Sequence, residues 1–330
     1  MLEVEQLISM VDNLVDIGLK SDGYLILFYG NASTAEYRSC KKIVIKISSY
    51  SGKQYILKGY IGVDASEVFE RQLLFSELLR ENNINTPQHY KFDSNYHYKA
   101  KDDGLIVTLE DFIDGSLVEL AKETISDYAV LMAKTHVISE LSAFKTGRPA
   151  KWYNFSQKNE VIRFDKFLKI RNCGHLNKHK DLCDKIVEKS ENLSGLINEL
   201  ICRLPQSAVH GDFSQSNIIK EGHSRQYYII DFDQAADCNL ISDFVLQSSL
   251  WIESVDVQND YGFFRKAESL LKTYSSVRSI SQTEAELAML LYKMSRAFFY
   301  KRINLMGSNA IEASDTYREL LEQMDNCLTL

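Results

Sequence analysis

Residues 208–244, AVHGDFSQSNIIKEGHSRQYYIIDFDQAADCNLISDF, carry the pattern that decides how the rest of the chain is read. A hydrophobic approach closes on an acid: Val209 and His210 lead to Gly211 and Asp212, and Asn217 follows five positions later. Ile218 and Ile219 then begin an apolar strand. The polar run 220–226 makes a turn, and a second strand, 227–230, ends on Asp231, Phe232 and Asp233. Two short strands joined by a polar turn form a hairpin. Such a hairpin brings Asn217 and Asp231 to the same end of a two-stranded ribbon.

An acid, an amide and a second acid in that order suit phosphoryl transfer from a nucleotide, a reaction catalysed mostly by positioning and charge neutralisation. One carboxylate orients the attacking hydroxyl and accepts its proton. The amide oxygen and the other carboxylate hold a divalent metal, since magnesium prefers oxygen ligands. The segment resembles the aminoglycoside phosphotransferase and choline kinase branch of the protein-kinase-like superfamily, which reads roughly H-G-D-x-x-x-x-N and then I-D-[FW]-[DE]-x-A. The matching residues are His210, Gly211, Asp212 and Asn217, then Ile230, Asp231, Phe232, Asp233 and Ala235. The resemblance implies that Asp212 is the catalytic base and that Asn217 and Asp231 are Mg2+ ligands. Asp233 would add a supporting or metal contact, while His210 and Asp243 would organise the loop. Gly211 stands where protein kinases usually carry arginine, and no A-P-E signature follows Asp231. Both features point to a small-molecule acceptor.

The remaining composition sets the frame. A chain of 330 residues, 45% hydrophobic and 25% charged, suits a globular protein with two lobes. Its net charge of -7 argues against a nucleic-acid partner, because phosphate backbones select basic surfaces. The start, MLEVEQLISM, has acids where a signal peptide carries lysine or arginine, and no apolar run approaches a membrane span. A cytoplasmic protein without a membrane partner is expected. Six scattered cysteines form no C-x-x-C pair, so reduced thiols are expected.

Ahead of the central segment, apolar residues at helical spacing from Val4 to Val15 predict an amphipathic helix, and residues 24–29, 43–47 and 54–58 read as consecutive strands. By the resemblance, the turn Gly30-Asn31-Ala32-Ser33-Thr34 covers the nucleotide's phosphates. It holds a single glycine, so hydroxyls such as that of Ser33 would supply donors. Lys58 would present a point charge to the phosphates. A helix over 66–80 would carry the acid that pairs with Lys58. Glu70 is the choice, Glu67 and Glu77 lie on neighbouring turns, and gapless spacing back from Pro87 puts Gln72 there instead. The apolar run 105–109 leads into Glu110, Asp111, Phe112 and Gly115, which resemble a hinge that holds the nucleobase. Glu110 and Phe112 are its candidate contacts. Helices are expected over 129–141, within 153–204, and over 244–251, 261–275, 284–305 and 311–327.

The expected fold class is therefore α+β and protein-kinase-like, with a β-rich nucleotide-binding lobe over residues 1–111 and a mainly helical catalytic and acceptor-binding lobe over 112–330. The implied activity moves the γ-phosphoryl group of ATP, with GTP left open, to a small-molecule hydroxyl. A catalytically inactive nucleotide-binding module and a protein kinase are the alternatives, and oligomeric state is open. Between Asp231 and Asp260 the chain has seven acids and no lysine or arginine. Asp237, Glu253, Asp256 and Asp260 have no partner within that stretch, which favours an amine-bearing acceptor.

Overall fold

The structure, a computed structural model, describes residues 4–15, 17–32, 40–61, 66–99, 104–150, 162–222, 224, 226–255, 259–307 and 314–329. The chain begins with α1 (Val4–Val15), β1 (Leu19–Ala32), β2 (Cys40–Ser49), β3 (Gln54–Ile61), α2 (Ser66–Glu81), β4 (Tyr98–Lys99), β5 (Leu105–Asp111) and β6 (Gly115–Leu117). It continues with α3 (Ile125–Ser142), α4 (Phe164–Ile170), α5 (Lys180–Arg203), β7 (Ser207–Val209), β8 (Ile218–Glu221), β9 (Tyr227–Ile229) and β10 (Ala236–Cys238). Helices α6 (Leu240–Ser254), α7 (Asp260–Ser275), α8 (Gln282–Ala297), α9 (Tyr300–Met306) and α10 (Ser314–Thr329) complete it. These elements form two compact units. One comprises Met1–Val118, Ile138–Arg148 and His210–Asp237, and the other Glu119–Val137, Pro149–Val209 and Cys238–Leu330.

The first unit is built on an antiparallel sheet of order β1-β2-β3-β5-β4. Side chains alternate across a strand, and the register turns that alternation into two chemically distinct faces. Ile43, Ile45 and Ile47 lie opposite Gly59, Leu57 and Tyr55, and Leu57 in turn lies opposite Leu109. This face packs on α1, whose Leu7, Ile8 and Val11 join the same buried cluster. The other face pairs Lys42 with Tyr60, Val44 with Lys58, Ile56 with Glu110 and Lys58 with Thr108. Sheet and helix thus bury the apolar face on one side and leave a row of polar, ionisable groups on the other.

Helix α2 ends as its sequence requires. Asn83 takes the left-handed conformation (φ 65°), a conformation asparagine tolerates better than most residues. The Ile84 N–H then bonds the Leu79 carbonyl and the Asn83 N–H that of Arg80, which satisfies two of the helix's last carbonyls. Within the same unit, β6, β8 and β9 form a second antiparallel sheet, with Ile218 opposite Ile229.

The second unit is mainly helical. Helix α6 is buried along most of its length, from Leu240 through Ser249. The expected continuous helix over 284–305 is divided into α8 and α9, because Phe299 leaves the helical region (ψ 135°) to form an antiparallel bridge with Ile162 and the Phe298 carbonyl accepts from the Arg163 N–H. Phe298 packs its ring 4.9 Å from Phe164 and 5.5 Å from Phe167. His136 is buried, with Nδ1 2.7 Å from the Tyr274 hydroxyl and Nε2 3.3 Å from Asp243. Cys173, Cys183, Cys202, Cys238 and Cys327 are free thiols. Among the described residues, no helix is long and apolar enough to cross a membrane.

Leu57 is fully buried at the centre of the apolar face. Truncating such a residue costs about 2–5 kcal/mol, so Leu57→Ala is expected to lower the urea midpoint of the transition that melts the sheet. An unchanged midpoint would show that this face is not the core.

Candidate active site

The ribbon end predicted from sequence is formed. The Ile230 N–H donates to the Asn217 carbonyl at 3.0 Å, continuing the β8–β9 pairing and setting Asn217 beside the start of the Asp231 turn. Asn217 donates from Nδ2 to both the backbone oxygen and Oδ2 of Asp212, each at 3.0 Å. Its amide oxygen is the atom that would serve a cation. His210 holds the loop to the ribbon: its Nε2 lies 2.9 Å from the Ile230 carbonyl, and its Nδ1 accepts from the Asp212 N–H at 3.2 Å. That pair of bonds places a ring proton on Nε2 and the acceptor lone pair on Nδ1. Phe232 packs on the His210 ring at 4.7 Å and on Phe75 of α2 at 6.0 Å. Asp231 itself adopts the left-handed region (φ 63°, ψ 70°), an uncommon conformation for a non-glycine residue that recurs where side chains are aimed for function.

That turn meets the polar face of the sheet. Lys58 Nζ lies 3.0 Å from Glu110 and 3.4 Å from Asp231 Oδ1. Lys42 Nζ lies 2.7 Å from Asp233 and 3.2 Å from the same Asp231 Oδ1. The Tyr60 hydroxyl donates to both Asp233 oxygens, at 2.8 and 2.9 Å. Burial disfavours charge on each of these groups, and the partners decide the outcome. For Asp231, burial is outweighed by Lys58 and Lys42, which hold its carboxyl well below the usual range. For Asp233, burial and the Asp231 charge together push the carboxyl upward. Both ammonium groups are held protonated, because Glu110 for Lys58 and Asp233 for Lys42, each with Asp231, overcome desolvation.

Several expected roles are rearranged. Glu70 does not pair with Lys58; its carboxylate receives the Tyr96 N–H and lies 2.9 Å from His97 Nδ1. The α2 residue turned toward the Asp231 segment is Gln72, which donates to the Asp233 and Ala235 carbonyls at 3.0 and 3.1 Å. A neutral amide cannot balance Lys58, and the charge comes instead from Glu110 on β5. Glu110 is therefore committed to the lysine, with its other oxygen 3.4 Å from His89 Nδ1. His89 is neutral there, pushed down to about 3 by burial and then Lys58. The Phe112 N–H donates to the Gln54 carbonyl, and the Phe112 ring lies 3.6 Å below Lys46 Nζ. Ser33 and Asp256 lie outside the described residues.

The acidic stretch is also more satisfied than its sequence suggests. Asp237 accepts from the Thr146 N–H and hydroxyl and from the Gly147 N–H. Glu253 pairs with Arg296, and Asp260 with both Arg296 and Arg302. Glu253 and Asp260 are neutralised by arginines distant in sequence and Asp237 is held by uncharged donors, so these three acids do not support a preference for a charged acceptor. The residue that sequence reasoning missed is Lys42. Its signal was the alternation of Lys42, Val44 and Lys46 along β2, which becomes informative only once the register with Lys58 is known.

Gly211 has a structural reason to be glycine. Its φ is +81°, and a Cβ there would sit 2.2 Å from the Gln234 carbonyl oxygen. Strain of this kind costs about 1–3 kcal/mol per residue. Gly211→Ala is expected to lower the melting temperature by several degrees, and an unchanged temperature would mean that the turn is not held against residue 234.

No family model matches the sequence, and no curated protein matches it by sequence. Solved structures do match. Amicoumacin kinase in complex with AMP-PNP, Ca2+ and Ami aligns with a TM-score of 0.62 at 13% identity, covering 98% of this chain and 94% of that one. An aminoglycoside phosphotransferase from Alicyclobacillus acidocaldarius aligns at 0.55 and 13% identity, covering 92% and 91%. Spectinomycin phosphotransferase in complex with ADP and spectinomycin aligns at 0.52 and 13% identity, covering 99% and 97%. With the β-rich and helical parts described above, these likenesses establish that the chain has the protein-kinase-like α+β fold of the aminoglycoside phosphotransferases.

Proposed function

We propose that this protein is a small-molecule kinase that transfers the γ-phosphoryl group of ATP to a hydroxyl. The observation that carries the reading is the convergence of Lys58 and Lys42 on Asp231, beside a loop in which Asn217 bonds Asp212. Asp212 orients the acceptor hydroxyl and takes its proton, with Asn217 and His210 fixing the loop that carries it. Asp231 and the Asn217 amide oxygen are the ligands for magnesium, and Lys58 steadies the phosphates.

The donor chemistry fits that metal. A carboxylate and an amide oxygen are hard oxygen ligands, and magnesium is usually held by one or two protein groups plus substrate phosphates. Among the described residues, no group of three or more His, Cys, Asp and Glu side chains is arranged to hold a metal ion alone. A site that borrows its remaining ligands from a nucleotide meets that description. When bound, the metal neutralises charge developing on the phosphates.

The names of the similar structures, amicoumacin kinase and spectinomycin phosphotransferase, motivate a small acceptor. Gly211 and the absence of A-P-E after Asp231 point the same way. The test is ATP consumption with a panel of hydroxyl acceptors, both amine-bearing and neutral. General-base contributions are about 10²- to 10⁴-fold, so Asp212→Asn is expected to lose turnover in that range while keeping AMP-PNP binding. Folded Asp212→Asn protein with wild-type turnover, or wild-type protein inert toward every acceptor, would contradict the proposal.

A further inference from the structure

The two lysines of the polar face are not equivalent to one lysine and a spare. Each ammonium has its own anchor, Glu110 for Lys58 at 3.0 Å and Asp233 for Lys42 at 2.7 Å, and both converge on the single oxygen Asp231 Oδ1. Their side chains are only 9% and 10% exposed. A divalent cation held by Asp231 would compete with both ammonium groups for Oδ1, where each makes the longer of its two contacts, at 3.4 and 3.2 Å. Each buried ammonium then needs a second anion. Each lysine would then keep one carboxylate, Glu110 or Asp233, in the presence of the cation's positive charge. A polyphosphate lying against the cation would supply the missing charge.

Lys42 and Lys58 stand on neighbouring strands and on one face, with Lys42 opposite Tyr60 and Lys58 opposite Val44. They are therefore diagonal neighbours, spaced to address different oxygens of one chain of phosphates. The Tyr60 hydroxyl, bonded to both Asp233 oxygens, fixes the carboxylate that aims Lys42. Of the stretch 30–34 expected to form a phosphate turn, Gly30, Asn31 and Ala32 are instead the end of β1, paired with Lys42, Lys41 and Cys40.

We infer that Lys42 is a second phosphate-binding lysine, that Asp233 and Tyr60 are its positioning residues, and that Asp233 acts on the lysine and not on the metal. This rests on the kinase reading above and adds to it a group that binds the nucleotide's phosphates.

The test titrates full-length protein with AMP-PNP plus magnesium and, separately, with adenosine. Hydrogen bonds to charged groups contribute about 1.5–3 kcal/mol, so Lys42→Met is expected to weaken AMP-PNP about tenfold or more and to leave adenosine unchanged. A merely structural lysine that balances Asp233 makes a different forecast: Lys42→Met with Asp233→Asn would restore AMP-PNP binding. Here the double variant is expected to stay weak. If Lys42→Met does not fold, Lys42→Gln keeps a hydrogen bond to Asp233 and is held to the same outcomes. Wild-type affinity in the single variant, or recovery in the double variant, overturns the role of Lys42 alone. Wild-type protein that binds neither probe overturns the kinase reading and this role with it.

Discussion

Two ammonium groups buried on one face of a sheet must be matched by carboxylates, and that requirement organises the first unit of this protein. An isolated charge taken out of water is costly, and a buried pair is tolerated only with good geometry and further hydrogen bonds. Lys42 and Lys58 meet the condition with three acids drawn from two places, Glu110 on the neighbouring strand and the Asp231 and Asp233 pair on the ribbon turn. The sheet and the turn are thereby tied together by charge. Gln72 reinforces the tie through two backbone carbonyls, and Phe232 does so by packing between His210 and Phe75.

The same constraint explains why the helix carries no acid at the expected place. Kinase-like sites balance the strand lysine with a glutamate on the helix that follows, but here the helix presents Gln72 and turns Glu70 toward His97. The balancing charge has moved to Glu110, diagonal to Lys58 across the β3–β5 register. Its other neighbour, His89, is held neutral by burial and Lys58 and so does not compete with the lysine for Glu110.

What the sequence conveyed was local. The hairpin from Asn217 to Asp231, the strand carrying Lys58 and the helix over 66–80 each rest on periodicity and turn residues that act within a few positions, and each is formed. The fold class followed from those elements and from the motif. Pairings across long separations were not legible. Glu110 lies 52 positions from Lys58 and Lys42 lies 189 from Asp231, so no spacing rule connects them. For the same reason Asp237, Glu253 and Asp260 looked unmatched, although their partners Thr146, Arg296 and Arg302 lie tens of residues away. The division of residues 284–305 into two helices was likewise set by a distant pairing, of Phe298 and Phe299 with Arg163 and Ile162.

The most direct measurement is the affinity of AMP-PNP for the full chain with magnesium and with EDTA, in wild-type protein and in Asp231→Ala. If Asp231 anchors a metal-nucleotide complex against the two lysines, wild-type affinity rises about tenfold or more with magnesium, equivalent to about 1.4 kcal/mol, and Asp231→Ala loses that dependence. Wild-type binding that ignores magnesium, or an Asp231→Ala variant that keeps the full magnesium effect, would contradict the assignment.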